Sequence, residues 1–180
     1  MVGRRTTATI AALAGVVLVA SGCGSKTDGK AGPTTTDTSA ATAALWDPCV
    51  QISEAALKQI GVDPATKESG VAGVEEPGWK VCSWNNSDFN LGVFSTVRTV
   101  EEFKKKPDNT DFADVTIGGR TGLRFRQTFD KDDKICDLLF STAQGTVDIT
   151  VSNRVSSKNK VSPCERAGTA AEILMPGVPR

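Results

Sequence analysis

Five cysteines and not one histidine set the limits on the chemistry open to this 180-residue chain. Cys23 stands apart from the other four. It follows Arg4-Arg5, an apolar run from Ala8 to Ala20, and the small residues Ser21-Gly22, which is the order of a bacterial secretory signal. A thiol at that place accepts a diacylglyceryl group as a thioether. Residues 1–22 are then cleaved, and acyl chains such as palmitate hold the new amino terminus. The apolar run is too short to cross a bilayer, which takes about 20 apolar residues. No Phe-Leu pair follows Arg4-Arg5, so general secretion is expected rather than twin-arginine export. Each buried methylene contributes about 0.8 kcal/mol, so two or three chains anchor firmly. The expected address is the extracytoplasmic face of the cell membrane, reached through a lipid.

The remaining cysteines, Cys49, Cys82, Cys136 and Cys164, are even in number in an exported chain, which reads as two disulfides with three possible connectivities. None forms a Cys-x-x-Cys pair, and imidazole ligands are absent, so neither a zinc site nor a thioredoxin-like site is expected. No cofactor and no metal are expected.

The missing histidine also removes Ser-His-Asp and Cys-His catalysis. An enzyme would need two carboxylates about 5–10 Å apart in a cleft. Asp47, Asp63 and Glu165 are acidic candidates, but no spacing in the chain brings two of them together. With 21 basic and 21 acidic residues, the chain lacks the field that would draw nucleic acid, and none is expected as a partner.

Three binding features remain. Arg120, Arg124 and Arg126 share one parity along a strand, so they emerge on one sheet face. They form either a basic stripe for a lipid phosphate or acidic glycan, or a solvated face with Asp137 and Asp148 as cross-strand partners. Trp79, after Pro77-Gly78, either packs in the core or lines the mouth of an apolar pocket. Lys104-Lys105-Lys106 ends a short helix, where lysine suits the macrodipole and Glu101–Lys105 makes an i,i+4 pair. Asp130, Asp132 and Asp133 lack the pattern of a calcium loop and read as a polar turn.

The elements that must position these residues follow from periodicity and punctuation. Gly24 to Ala44 is rich in Gly, Ser, Thr and Ala and is expected to be a disordered linker. The domain spans residues 45–180. Ser53 caps a helix from Glu54 to Ile60 that Gly61 ends. Period-two alternation places strands over Trp79–Trp84 and Phe89–Phe94. Thr99 caps a helix from Val100 to Lys106. Further strands run over Phe112–Ile117, Arg120–Phe129, Ile135–Ser141 and Val147–Val151, with Gly118-Gly119 as a hairpin turn. A last helix covers Pro163 to Leu174. Hairpin-length turns make the class α+β, a single antiparallel sheet of five to seven strands with two or three helices packed on it. Cys49 and Cys164 start the two terminal helices, and Cys82 and Cys136 lie in strands. The expected pairing is therefore Cys49 with Cys164 and Cys82 with Cys136.

Asp47-Pro48-Cys49, Gly61-Val62-Asp63-Pro64, Cys82-x-Trp84, Pro163-Cys164-Glu165-Arg166-Ala167 and the closing Met175-Pro176 together resemble the actinobacterial, mycobacterial-type lipoproteins of domain of unknown function 3558. The resemblance covers about residues 45–177. It implies a cell-envelope lipoprotein with no assigned activity, in which these landmarks are structural. The expectation is a non-enzymatic, lipid-anchored protein that binds an envelope protein or an apolar or anionic lipid or glycan ligand. The alternatives are an accessory or scaffold subunit of an envelope complex and, further off, a carboxylate-based hydrolase.

Overall fold

The computed structural model describes residues 35–180; the expectations for Cys23, the signal and the chain before Thr35 lie outside the described residues. The helices are α1 (Thr35–Ala44), α2 (Pro48–Gln51), α3 (Glu54–Ile60), α4 (Val100–Lys104) and α5 (Pro163–Leu174). The strands are β1 (Asp63–Ser69), β2 (Trp79–Asn85), β3 (Phe89–Thr96), β4 (Asn109–Ile117), β5 (Arg120–Gln127), β6 (Ile135–Thr142) and β7 (Gly145–Asn153).

Local chemistry sets the element ends. Ser53 Oγ accepts from the Ala56 N–H at 3.2 Å, and Gly61 at φ 95° closes α3 in the left-handed region that glycine tolerates. Thr99 and Glu102 form a reciprocal capping box on α4. Gly118 and Gly119, at φ 57° and 71°, turn β4 into β5.

The seven strands make one sheet in the order β1-β2-β3-β7-β6-β5-β4, every neighbouring pair antiparallel. Two meanders, β1–β3 and β4–β7, meet where β3 pairs with β7. The chain must therefore cross from the centre of the sheet at β3 to its far edge at β4. That crossover carries α4 over one face. The connection after β7 lays α5 against the other face, where Cys82, Trp84, Leu91, Val93, Leu138, Phe140, Val147, Ile149 and Val151 pack under Ala167, Ala170, Ala171 and Leu174. The α4 face has a smaller cluster of Phe103, Leu123, Phe125 and Leu139.

The disulfides correct the expected pairing. Cys49 bonds Cys82 with 5.1 Å between Cα atoms, and Cys136 bonds Cys164 with 5.0 Å. Cys82 on β2 and Cys136 on β6 are separated by β3 and β7, three ladder steps or about 14 Å, beyond the ~7 Å that a disulfide can bridge. Each bond instead fastens a helix to the strand beneath it, α2 to β2 and α5 to β6.

Three local differences also have physical reasons. The chain before Leu45 was expected to lack structure, yet Thr35–Ala44 is helical, and Thr42 Oγ1 ties it to the domain by accepting from the Gly78 N–H at 2.7 Å. The helix α4 ends at Lys104 rather than Lys106, and Glu101 pairs with Lys104 at 2.8 Å instead of with Lys105. The strand β1 escaped the periodicity because it is an edge strand, mostly exposed, with no large apolar side chain.

Candidate functional site: a buried aspartate in an aromatic cavity

On the face crossed by α4, strand register lines side chains into two rows. Val81, Phe94, Asp148, Leu139 and Leu123 stand opposite one another across β2, β3, β7, β6 and β5. The next row holds Ser83, Gly92, Thr150, Asp137 and Phe125. Two carboxylates thus lie on neighbouring strands β6 and β7, between apolar side chains on β2, β3, β5 and β6 and the hydroxyls of Ser83 and Thr150. Asp137 faces Thr150, so Asp148 is its diagonal neighbour, at about 7 Å between backbones.

The two acids differ in how they are held. Asp137 is 1 % exposed and fully engaged. Its Oδ1 accepts from Thr150 Oγ1 at 2.7 Å, and Gln127 Nε2 donates to Oδ1 and Oδ2 at 3.2 and 3.0 Å. Asp148 is 7 % exposed, and its buried Oδ1 has no hydrogen-bond partner. Burial raises the Asp137 carboxyl above the ordinary aspartate range, against the hydrogen bonds from Thr150 and Gln127. Burial pushes Asp148 up further, the neighbouring Asp137 adds to it, and the Lys106 ammonium partly opposes both.

Around these acids is a cavity of about 340 Å³. Trp79, Phe94, Phe103, Phe125 and Phe129 form its aromatic wall. Trp79 meets Phe94 and Phe103 edge-on, with centroids 6.4 and 6.2 Å apart. Gly92 leaves room for this wall, since a Cβ on it would lie 2.7 Å from the Phe94 ring and displace it. Lys106, two residues past α4, is exposed at the mouth and sets its Nζ 4.8 Å from the Phe103 centroid and 5.8 Å from that of Trp79. These are cation–π distances. The site therefore combines a buried acceptor without a donor, ring faces that attract positive charge, and room for a small molecule.

Of the residues singled out in the sequence, Trp79 lines this cavity. The three arginines do not; they project from the opposite face, where Arg124 stands across from Leu138. Arg120 donates to the Val178 and Ser141 carbonyls at 3.0 and 2.9 Å. Arg126 donates to Asp130 and Asp133 at 3.1 and 2.5 Å and reaches Cys164 Sγ at 3.7 Å. The cross-strand partners expected for them, Asp137 and Asp148, point the other way, a correction that follows from strand parity. Asp130 also accepts from the backbone of Lys134 and Ile135, as a polar turn requires. Asp47 accepts from the Cys49 N–H to cap α2, Asp63 accepts from the Ala65 N–H, and Glu165 sits in the first turn of α5.

The residues that sequence reasoning passed over are Asp148, Asp137 and Lys106 as members of one site. A signal existed for Asp137, a single aspartate between Ile135 and Leu139 on one face of a strand whose other face is Cys136, Leu138 and Phe140, which is uncommon without a reason. Asp148 shares its face with Thr146, Thr150 and Ser152 and reads in sequence as one more polar position.

No curated protein and no solved structure matches this chain. The family model described as a protein of unknown function, DUF3558, matches residues 18–176. That span takes in the cavity and both disulfides; the chain belongs to the DUF3558 family.

Proposed function

We propose that this is a lipid-anchored, extracytoplasmic protein of the cell envelope that binds a small ligand without transforming it, in the cavity beneath α4. The observation that carries the reading is Asp148: a buried carboxylate with an unpaired oxygen is costly unless something outside the chain completes it. The address rests on the signal pattern ending at Cys23, which lies within the span matched by the family. Native mass spectrometry of the protein drawn from its own membranes tests both halves. Acyl mass on Cys23 and a bound small molecule that is lost in Trp79→Ala are expected. An unacylated amino terminus contradicts the address, and a wild-type domain that carries nothing contradicts the binding.

The carboxylate-hydrolase reading draws support from one observation, the diagonal pair of acids. Its weakness is Asp137, which is 1 % exposed with both oxygens engaged by Gln127 and Thr150. A general acid or nucleophile must reach its substrate, and of the two acids only Asp148 has no hydrogen bonds to break. A scaffold role has less support, since among the described residues the exposed large apolar side chains are single residues such as Val50, Phe129 and Val155, with Val71 and Val74 together in one turn.

A further inference from the structure

Resting on that reading of the cavity, the geometry points to an organic cation as the occupant: an alkyl- or aryl-bearing ammonium that lies against Asp148 between the aromatic rings, taking the seat over Trp79 and Phe103 now held by the Lys106 ammonium. Four observations converge on positive charge. The Asp148 side chain lines the cavity and its Oδ1 is buried and unpaired; with a turn of the carboxylate toward the cavity, an ammonium supplies both the missing donor and the opposing charge. The rings of Trp79, Phe94 and Phe103 present faces and edges around the same space, and ring faces attract cations. Asp108, Asp137 and Asp148 line the cavity against the one ammonium of Lys106, so an entering anion meets repulsion. Finally, the chain itself has already placed a cation over the rings.

Lys106 is suited to leave. It is exposed and lies beyond the end of α4. Among the described residues its Nζ forms no salt bridge with a carboxylate. Swinging it into water gives up the ring contacts and its attraction to Asp148, both of which a ligand cation restores. The apolar portion of the ligand then covers Phe94 and Phe125.

The test titrates the purified, oxidised chain with hexylamine, hexyltrimethylammonium, hexanol and hexanoate, reading the indole N–H signals. The chain has three tryptophans; Trp46 and Trp84 are buried in the other core, so only the Trp79 signal should move. The two cations are expected to bind at least about tenfold more tightly than hexanol, and hexanoate not at all. Asp148→Asn is expected to erase that preference, bringing the amines down to the affinity of hexanol, with a cooperative thermal melt showing an intact fold. Lys106→Met is expected to tighten amine binding several-fold. Hexanol or hexanoate binding as well as the amines, a preference surviving Asp148→Asn, or weaker amine binding in Lys106→Met overturns the assignment. A Trp79 signal that no probe moves overturns the cavity reading itself. Displacement of hexylamine by phosphatidylethanolamine vesicles, but not by phosphatidylglycerol vesicles, makes the cation a lipid headgroup. Displacement by soluble amines alone makes it a free molecule.

Discussion

Asp137 and Asp148 are diagonal neighbours on one face of β6 and β7, and the first holds all the hydrogen bonds that the second lacks. One acid is part of the fabric of the sheet and the other lines a cavity with a buried oxygen unpaired. Opposite responses to substitution follow from that contrast.

Asp148→Asn should make the protein more stable at neutral pH, by about 1 kcal/mol or more, because the amide occupies the buried site without a carboxyl that burial keeps from ionising. The sign follows from proton binding. The folded carboxyl keeps its proton above 3.8, its ordinary value, where the unfolded chain has already released it. Between those two values the native state binds more protons, so wild-type stability falls as pH rises. The gain from Asp148→Asn should therefore be absent below the ordinary aspartate range and grow with pH through the raised one. Denaturant melts of both proteins at pH 3.5 and pH 7, disulfides intact, check this. The charged groups facing Asp148 are Asp137, Asp108 and Lys106. A gain in stability joined to a loss of ligand binding is the mark of a residue kept for function.

Asp137→Ala should do the reverse. It strands the Gln127 amide and the Thr150 hydroxyl, both donors to Asp137, and should cost about 1–3 kcal/mol. The same melts at pH 7 measure it, and a neutral or stabilising result would contradict the network.

Non-reducing peptide mapping should recover Cys49 linked to Cys82 and Cys136 linked to Cys164. Closing loops of 33 and 28 residues, each bond should contribute roughly 3–4 kcal/mol in the chain-entropy account. The paired replacement Cys136→Ser with Cys164→Ser should release the start of α5 from β6, seen as faster amide exchange in its first turn.

Two glycines in hairpin turns should respond unequally. A Cβ on Gly145, at φ 140°, would meet the Thr96 carbonyl oxygen and the Val97 backbone. One on Gly119, at φ 71°, meets nothing within 4 Å. Gly119→Ala should cost about 1–2 kcal/mol for the left-handed backbone alone. Gly145→Ala should cost more, because β3 and β7 must move apart. Thermal melts of the two variants rank them.

What was legible in the sequence was local. The Ser53–Gly61 bracket, the Thr99 cap, the Gly118-Gly119 turn and the alternation in Trp79–Trp84 each depend on residues within one or two turns of each other. They were enough for the α+β class and the antiparallel sheet. The disulfide pairing was not legible, because it depends on β3 and β7 lying between β2 and β6, a fact of strand order rather than spacing. The parity of Arg126 was correctly read, yet its partners were not. A carboxylate one residue out of phase is on the other face, so Arg126 pairs with Asp130 and Asp133 rather than with Asp137. The site was hidden for the same reason. Lys106 comes to Trp79 only through the crossover from β3 to β4, and nothing in the run Lys104-Lys105-Lys106 separates the last lysine from its neighbours.

The central claim, that Asp148 waits for a cation, is tested most directly by following the Asp148 side-chain carboxyl carbon by NMR across pH, with and without saturating hexylamine. In the free protein it should titrate well above the ordinary aspartate range, and the amine should pull the transition to lower pH. A transition at the ordinary value, unmoved by the amine, would contradict the account.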